Sequence, residues 1–149
     1  MNWKTTYTRE SPALHSHLLA RGAPPDLAED IIQEVFMAAI AAGSRIERPR
    51  AYLFQAARNA LNRERGRLRP ILESVPVVEC RDGGGDGEAI NRALARLPLE
   101  QREVVVLRVW HGLSFREISE ALEIPPDTAA SRWRYGLAKL RSLVEKGAA

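Results

Sequence analysis

The stretch from Ser114 to Pro126 constrains the fold of this chain more than any other. Ser114-Phe115-Arg116-Glu117 has the form of a capping box, in which a hydroxyl and a carboxylate three residues apart satisfy each other's backbone N–H groups. The helix that it starts carries Ile118, Ala121 and Leu122 on one face, and it ends near Glu123 because Pro125-Pro126 cannot continue it. Pro126 suits the first position of a second helix, and Asp127 complements the positive end of that helix. Two helices joined by about four residues, the second rich in arginine, form a helix-turn-helix pattern, which lays its second helix in a DNA major groove.

The remainder of the chain is compatible with that reading. At 149 residues it is long enough for one domain or two small ones, and its apolar content of 45% excludes disorder throughout. The absence of any run of about 18 apolar residues argues against membrane insertion. Met1-Asn2-Trp3-Lys4 has no apolar signal region, and Cys80 is a lone cysteine that cannot form an intramolecular disulfide. Both features fit a reducing cytoplasm. Charge is unevenly spread: residues 1–69 carry +4, residues 70–88 carry −4 and residues 89–149 carry +3. Two basic lobes joined by an acidic strip point to two surfaces that face nucleic acid and a connection that avoids it.

The expected architecture is all-α: two small helical domains, residues 1–69 and 89–149, joined by a flexible acidic linker over residues 70–88. In the first lobe, Leu14, Leu18 and Leu19 mark a helix from about Ser11 to Ala20. After the Gly22-Ala23-Pro24-Pro25 turn, Asp26 is placed to cap a second helix, with Glu29 in the reciprocal position. Leu27, Ile31, Ile32, Val35, Phe36, Ala39 and Ile40 give that helix a wide apolar face, and Gly43 stops it. Pro49 starts a third, which turns Tyr52, Leu53, Ala56, Ala57, Ala60 and Leu61 inward and ends near Gly66. Pro76 and the run Arg81–Gly87 break the pattern and read as linker. Four helices make the second lobe. Ile90, Ala93, Leu94 and Leu97 mark the first, and the apolar run Val104–Trp110 marks the second, read as a buried helix in preference to a buried strand. The two helices around Pro125-Pro126 complete the four.

The last helix, taken from Pro126 to about Lys146, puts Ala129, Trp133, Leu137, Leu140 and Val144 on its packed face. Thr128, Ser131, Arg132, Arg134, Tyr135 and Lys139 lie on its other sides, where arginine reads guanine edges and the hydroxyls suit phosphate oxygens. A second basic surface follows Tyr52 and Phe54 on the third helix: Arg58, Asn59, Asn62, Arg63, Arg65, Arg67 and Arg69. An amide among arginines can pair with adenine edges, and an aromatic side chain can stack on an unpaired base. Catalysis is not expected: His15, His17 and His111 have no zinc-binding spacing, nucleophile elbow or phosphate loop beside them. No metal and no cofactor are expected.

Five stretches, in this order and spacing, resemble the extracytoplasmic-function group of bacterial RNA polymerase sigma factors. They are Asp26–Phe36, Arg48–Asn59, Leu97–Val104, Gly112–Ile118 and Ser131–Arg141. The resemblance implies that Asp30, Gln33 and Glu34 dock on the clamp helices of the largest subunit of core RNA polymerase. It implies that Tyr52, Arg58, Asn59, Asn62 and Arg63 face the −10 element, and that the Gly43–Arg48 loop captures a flipped base. It assigns Thr128, Ser131, Arg132, Arg134, Tyr135 and Lys139 to the −35 element. The acidic linker corresponds to the segment that threads toward the polymerase active site, and an anti-sigma factor is an expected partner. The chain departs from the pattern at Ala130, where the family often has Lys or Arg, and in its short Gly43–Arg48 loop, which lacks an aromatic-rich run. The competing reading is a stand-alone helix-turn-helix regulator, or an adaptor that mimics a sigma factor to sequester its inhibitor. The Asp30/Gln33/Glu34 surface separates the two, because a simple repressor has no use for it.

Overall fold

The computed structural model describes residues 2–65 and 85–148. Among these residues the elements are α1 (Trp3–Ala20), α2 (Pro25–Ala42), a 3-10 turn (Gly43–Arg45), α3 (Pro49–Arg65), α4 (Gly85–Ala95), α5 (Leu99–Val109), α6 (Phe115–Leu122) and α7 (Pro126–Ala148). The expected all-α class holds. Most of the acidic linker, with Cys80, Arg67 and Arg69, lies outside the described residues.

Several boundaries differ from the sequence reading for local reasons. Helix α1 starts eight residues earlier than Ser11, at Trp3, because the Asn2 side chain accepts hydrogen bonds from the Lys4 and Thr5 N–H groups at 3.1 and 3.3 Å. Pro12 stays inside α1. The proline cannot donate to the Thr8 carbonyl, but both residues are exposed, so that carbonyl is open to water. Asp26 does not cap α2: Pro24 holds the cap position without a side-chain bond, and Asp26 sits in the first turn. Ile40 is 54% exposed and is not part of the apolar face of α2. A 100° step per residue carries it past the edge that Ile32, Val35 and Ala39 bury. Helix α4 reaches back to Gly85, inside the expected linker, where packing of Ile90 and Leu94 beside Val105 and Val106 outweighs the poor helix propensity of glycine.

The capping box is present as read. Ser114 Oγ accepts from the Glu117 N–H at 3.1 Å, and Glu117 Oε1 accepts from the Ser114 N–H at 3.0 Å. Helix α6 then ends at Glu123, which takes the left-handed conformation at φ 57°. Gly43 ends α2 with φ 61°, a region that glycine enters without a Cβ penalty.

The core does not stop at the boundary between lobes. Leu14, Leu18, Leu53 and Phe54 share one buried cluster with Val104, Leu107, Leu113 and Ile118. Helix α5 packs on α1, and α6 packs on α3. Each fully buried Leu, Ile or Phe contributes about 1.5–3 kcal/mol, so this shared cluster binds the lobes strongly.

Helix α7 crosses α5 at Gly136. A Cβ added there would lie 2.9 Å from Val105 Cγ2 and 3.2 Å from Gln101 Cβ. Val105 is fully buried and β-branched and has little freedom to yield. Gly136→Ala is therefore expected to destabilise the protein by about 1–2 kcal/mol in urea unfolding, the overpacking cost exceeding the helix-propensity gain of about 1 kcal/mol. A variant as stable as the parent would show that α7 does not need this close approach.

Candidate nucleic-acid interface

On α7, Ala129 is fully buried and Trp133 partly buried, which turns the rest of the helix outward. Arg134 and Lys139 are exposed and Tyr135 is 65% exposed, whereas Thr128, Ser131 and Arg132 are half-buried. Val144, expected on the packed face, is 37% exposed. Below this surface the Arg108 guanidinium lies 4.3 Å from the centre of the Phe115 ring and 5.8 Å from that of Trp133, and it donates to the Leu113 carbonyl at 3.1 Å. This stack props α5, α6 and α7 against one another. Arg108, Phe115, Asp127, Ala130, Trp133 and Arg134 line a groove of about 440 Å³ beside it. The small side chain of Ala130 leaves that groove open where a longer one would fill it.

On α3 the candidate residues do not share one face. Asn59, Asn62 and Arg63 are exposed, and Tyr52 is half-buried against the core. Phe54 is fully buried with its ring centre 5.0 Å from that of His17 and tilted against it, so it has no access to a base. Arg58 points the other way: its side chain is 15% exposed, and Nη1 donates to the Ala121 carbonyl at 2.9 Å, at the end of α6. Its Nη2 lies 3.6 Å from Glu123.

On α2, Asp30, Gln33 and Glu34 are all exposed. Glu34 pairs with Arg63 at 3.0 Å, in an exposed position where such a pair contributes about 1 kcal/mol or less. Met37 is 72% exposed one turn beyond Gln33. Sequence reading passed over Met37, although its helical phase matches that of Asp30.

A further polar cluster joins the lobes. Arg50 binds Glu10 through Nε at 3.0 Å and Nη2 at 2.9 Å, and binds Glu117 through Nη1 at 3.0 Å. Burial works against the Arg50 charge, but the hydrogen bonds of Glu10 and the charges of Glu10, Glu117 and Glu120 hold its pKa above the ordinary value. Arg102 donates to the carbonyls of Leu94, Ala95 and Leu97 at the end of α4 and of Ala20 at the end of α1. Arg21 pairs with Glu103, His17 Nδ1 lies 3.8 Å from the same carboxylate, and His111 Nε2 is 2.7 Å from Ser16 Oγ. These partners lie at distant positions in the chain, and no local sequence signal marks them. Among the described residues, no group of three or more His, Cys, Asp or Glu is placed to hold a metal ion, and no helix is long and apolar enough to cross a membrane.

Two helical lobes, an open arginine-bearing helix behind a helix-turn-helix and an exposed acidic helix define a DNA-binding transcription factor. Residues 6–70 match the family model for sigma-70 region 2, and residues 87–140 match that for sigma-70 region 4. The chain is 27% identical to the ECF RNA polymerase sigma factor SigL of Mycobacterium tuberculosis, over 96% of this chain and 89% of SigL. It is 28% identical to the RNA polymerase sigma factor CarQ of Myxococcus xanthus, over 93% of this chain and 86% of CarQ. The fold matches that of the sigma factor RpoE in its co-crystal with the anti-sigma factor NepR from Bartonella quintana, with a TM-score of 0.74, 26% identity and 97% of each chain covered. It also matches that of CnrH in complex with the cytosolic domain of CnrY, with a TM-score of 0.69 and 24% identity over 97% of this chain and 88% of CnrH. The chain belongs to the sigma-70 family, in its extracytoplasmic-function group. It is an RNA polymerase sigma factor that directs promoter-specific transcription initiation, from a family of initiation factors and not of known enzymes.

Burial of His17 has a measurable consequence. Its ring is fully buried, neither nitrogen meets a hydrogen-bond partner among the described residues, and desolvation together with Arg58 and Arg21 holds its pKa well below the usual histidine value. The unfolded chain takes up a proton below about pH 6.5 and the folded chain does not, so stability falls as pH drops through that value. His111 is lowered by burial too and acts in the same direction. Urea unfolding is expected to show constant stability above about pH 7 and a loss below about pH 6.5, with His17 contributing a slope of up to about 1.4 kcal/mol per pH unit. His17→Met should make the slope shallower. Identical slopes for parent and variant would remove His17 as its source.

Proposed function

We propose that the exposed ridge of α2 is the docking surface for core RNA polymerase, with Asp30, Gln33 and Glu34 meeting basic groups on the clamp helices of the largest subunit and Met37 adding an apolar contact. The observation that carries this reading is the pairing of open carboxylates with a 72%-exposed methionine on one helix, a combination that a DNA phosphate surface repels. In the same reading, Tyr52, Arg58, Asn59, Asn62 and Arg63 contact the −10 element, and Thr128, Ser131, Arg132, Arg134, Tyr135 and Lys139 contact the −35 element. The open Arg134, Tyr135 and Lys139 side chains support the second assignment. The division into residues 1–69, 70–88 and 89–149 goes with it, supported by matches to separate family regions at 6–70 and 87–140. The protein acts in the cytoplasm, without catalysis, cofactor or metal of its own. An anti-sigma factor is an expected partner, a reading supported by the co-crystal of the similar RpoE with the anti-sigma factor NepR.

Run-off transcription with core polymerase on a promoter library tests the whole reading, and Asp30→Arg with Gln33→Ala tests the docking surface. The double variant is expected to lose co-purification with core polymerase while keeping its melting curve; unchanged co-purification rejects the docking role. Arg134→Ala is expected to weaken cognate promoter binding by about 1–3 kcal/mol and random duplex much less. Lys139→Ala should weaken both alike and lower the salt dependence by about one counterion. Equal loss on both duplexes for Arg134→Ala would remove base reading from that residue.

A further inference from the structure

The groove beside α7 combines an apolar lining with charged edges. Phe115 and Trp133 line it with two rings whose centres lie 6.5 Å apart, and Ala130, half-buried, adds a single methyl group. Asp127 and Arg134 are exposed members of the same lining. Arg108 lines it too, but its guanidinium is already held against both rings and by the Leu113 carbonyl. Asp127, Ala130 and Arg134 follow at spacings of three and four residues, so they fall within about 60° on one side of the helix.

This lining limits what can enter. A phosphate gains nothing from aromatic and methyl surface, and the Asp127 carboxylate repels it. A base edge carries no charge. In the major groove, guanine offers two acceptors to an arginine, and thymine presents a methyl group at C5 that meets apolar side chains such as alanine. Arg134 answers the first of these edges. The methyl group of Ala130, with the rings of Phe115 and Trp133 behind it, answers the second. A volume of about 440 Å³ leaves room for a base edge there, and a longer side chain at position 130 would take that room.

We propose that Ala130 is a specificity-determining residue of α7, and that the groove seats the C5-methyl group of a thymine in the −35 element. The inference rests on the reading of α7 as the helix that meets that element. A rise of about 1.5 Å per residue puts Ala130 about 6 Å from Arg134 along the axis, close to two base steps of about 3.4 Å. The thymine therefore lies within about two base pairs of the guanine that Arg134 reads. Removing one methyl group from water is worth about fourfold in affinity.

The test measures promoter binding by the full chain assembled with core polymerase. The duplex is a promoter recovered by run-off screening, in which each thymine of the −35 element is replaced in turn by deoxyuridine. That change removes the methyl group and keeps the hydrogen-bonding edge. One replacement is expected to weaken binding about fourfold. It should lie within about two base pairs of the guanine whose replacement has no further effect in Arg134→Ala. Ala130→Gln keeps good helix propensity and fills the groove, so it should bind the thymine and uracil duplexes alike. Ala130→Ser, which sets a hydroxyl against the methyl group, serves if the glutamine variant melts early. A −35 element without a thymine overturns the proposal. So does a parent that binds every uracil duplex as well as the thymine one, or a methyl effect that persists unchanged in the Ala130 variant. Arg134→Ala tests the underlying reading separately. If it changes binding to no −35 sequence, α7 does not read that element and both readings fall; if it does change binding and no methyl effect is found, only the role of Ala130 falls.

Discussion

A helix with apolar side chains at four successive positions cannot leave any side in water, and Val104, Val105, Val106 and Leu107 put α5 in that position. All four are fully buried, and α1, α6 and α7 close around them. Burial at this level makes any polar neighbour costly unless it is paired. Arg102 and Glu103, just before the run, are accordingly answered: Arg102 by four backbone carbonyls and Glu103 by Arg21. Two of the elements involved, α1 and the turn that follows it, belong to the other lobe. The need to bury α5 thus draws the lobes together, and the remaining contacts between α3 and α6 follow from that placement.

Closure has a consequence for function. Of the three surfaces proposed for polymerase and DNA, two are open in this arrangement: the acidic ridge of α2 and the outer side of α7. The third is divided. Asn59, Asn62 and Arg63 face solvent, while Arg58 completes the end of a helix in the other lobe. Arginine suits such a position because its fixed fork of donors can answer a helix-end carbonyl and a carboxylate together.

The helices and their order were readable from the chain because the signals that mark them are local. Pro49 and Pro126 begin helices, Gly43 ends one, and the Ser114–Glu117 box is formed by the residues that announce it. Misreadings arose where a local signal was weak or competed with packing. Asn2 caps α1 well ahead of the stripe of Leu14, Leu18 and Leu19, and a start read from that stripe alone falls near Ser11. Ile40 counted as core by residue type, although its helical phase placed it outside.

Periodicity, caps and breakers act over three or four residues, and for that reason the amino-acid order alone determined the all-α class, the helix-turn-helix and the exposure of Arg134, Tyr135 and Lys139 on α7. The uses of the arginines were decided only in three dimensions. Arg50, Arg58 and Arg102 resemble Arg63 and Arg134 in sequence, yet the first three bind helix ends and buried carboxylates far along the chain, while Arg63 and Arg134 remain at the surface. Which carbonyl or carboxylate comes within reach of a guanidinium depends on how helices cross, and that geometry is set by the burial of side chains many residues apart.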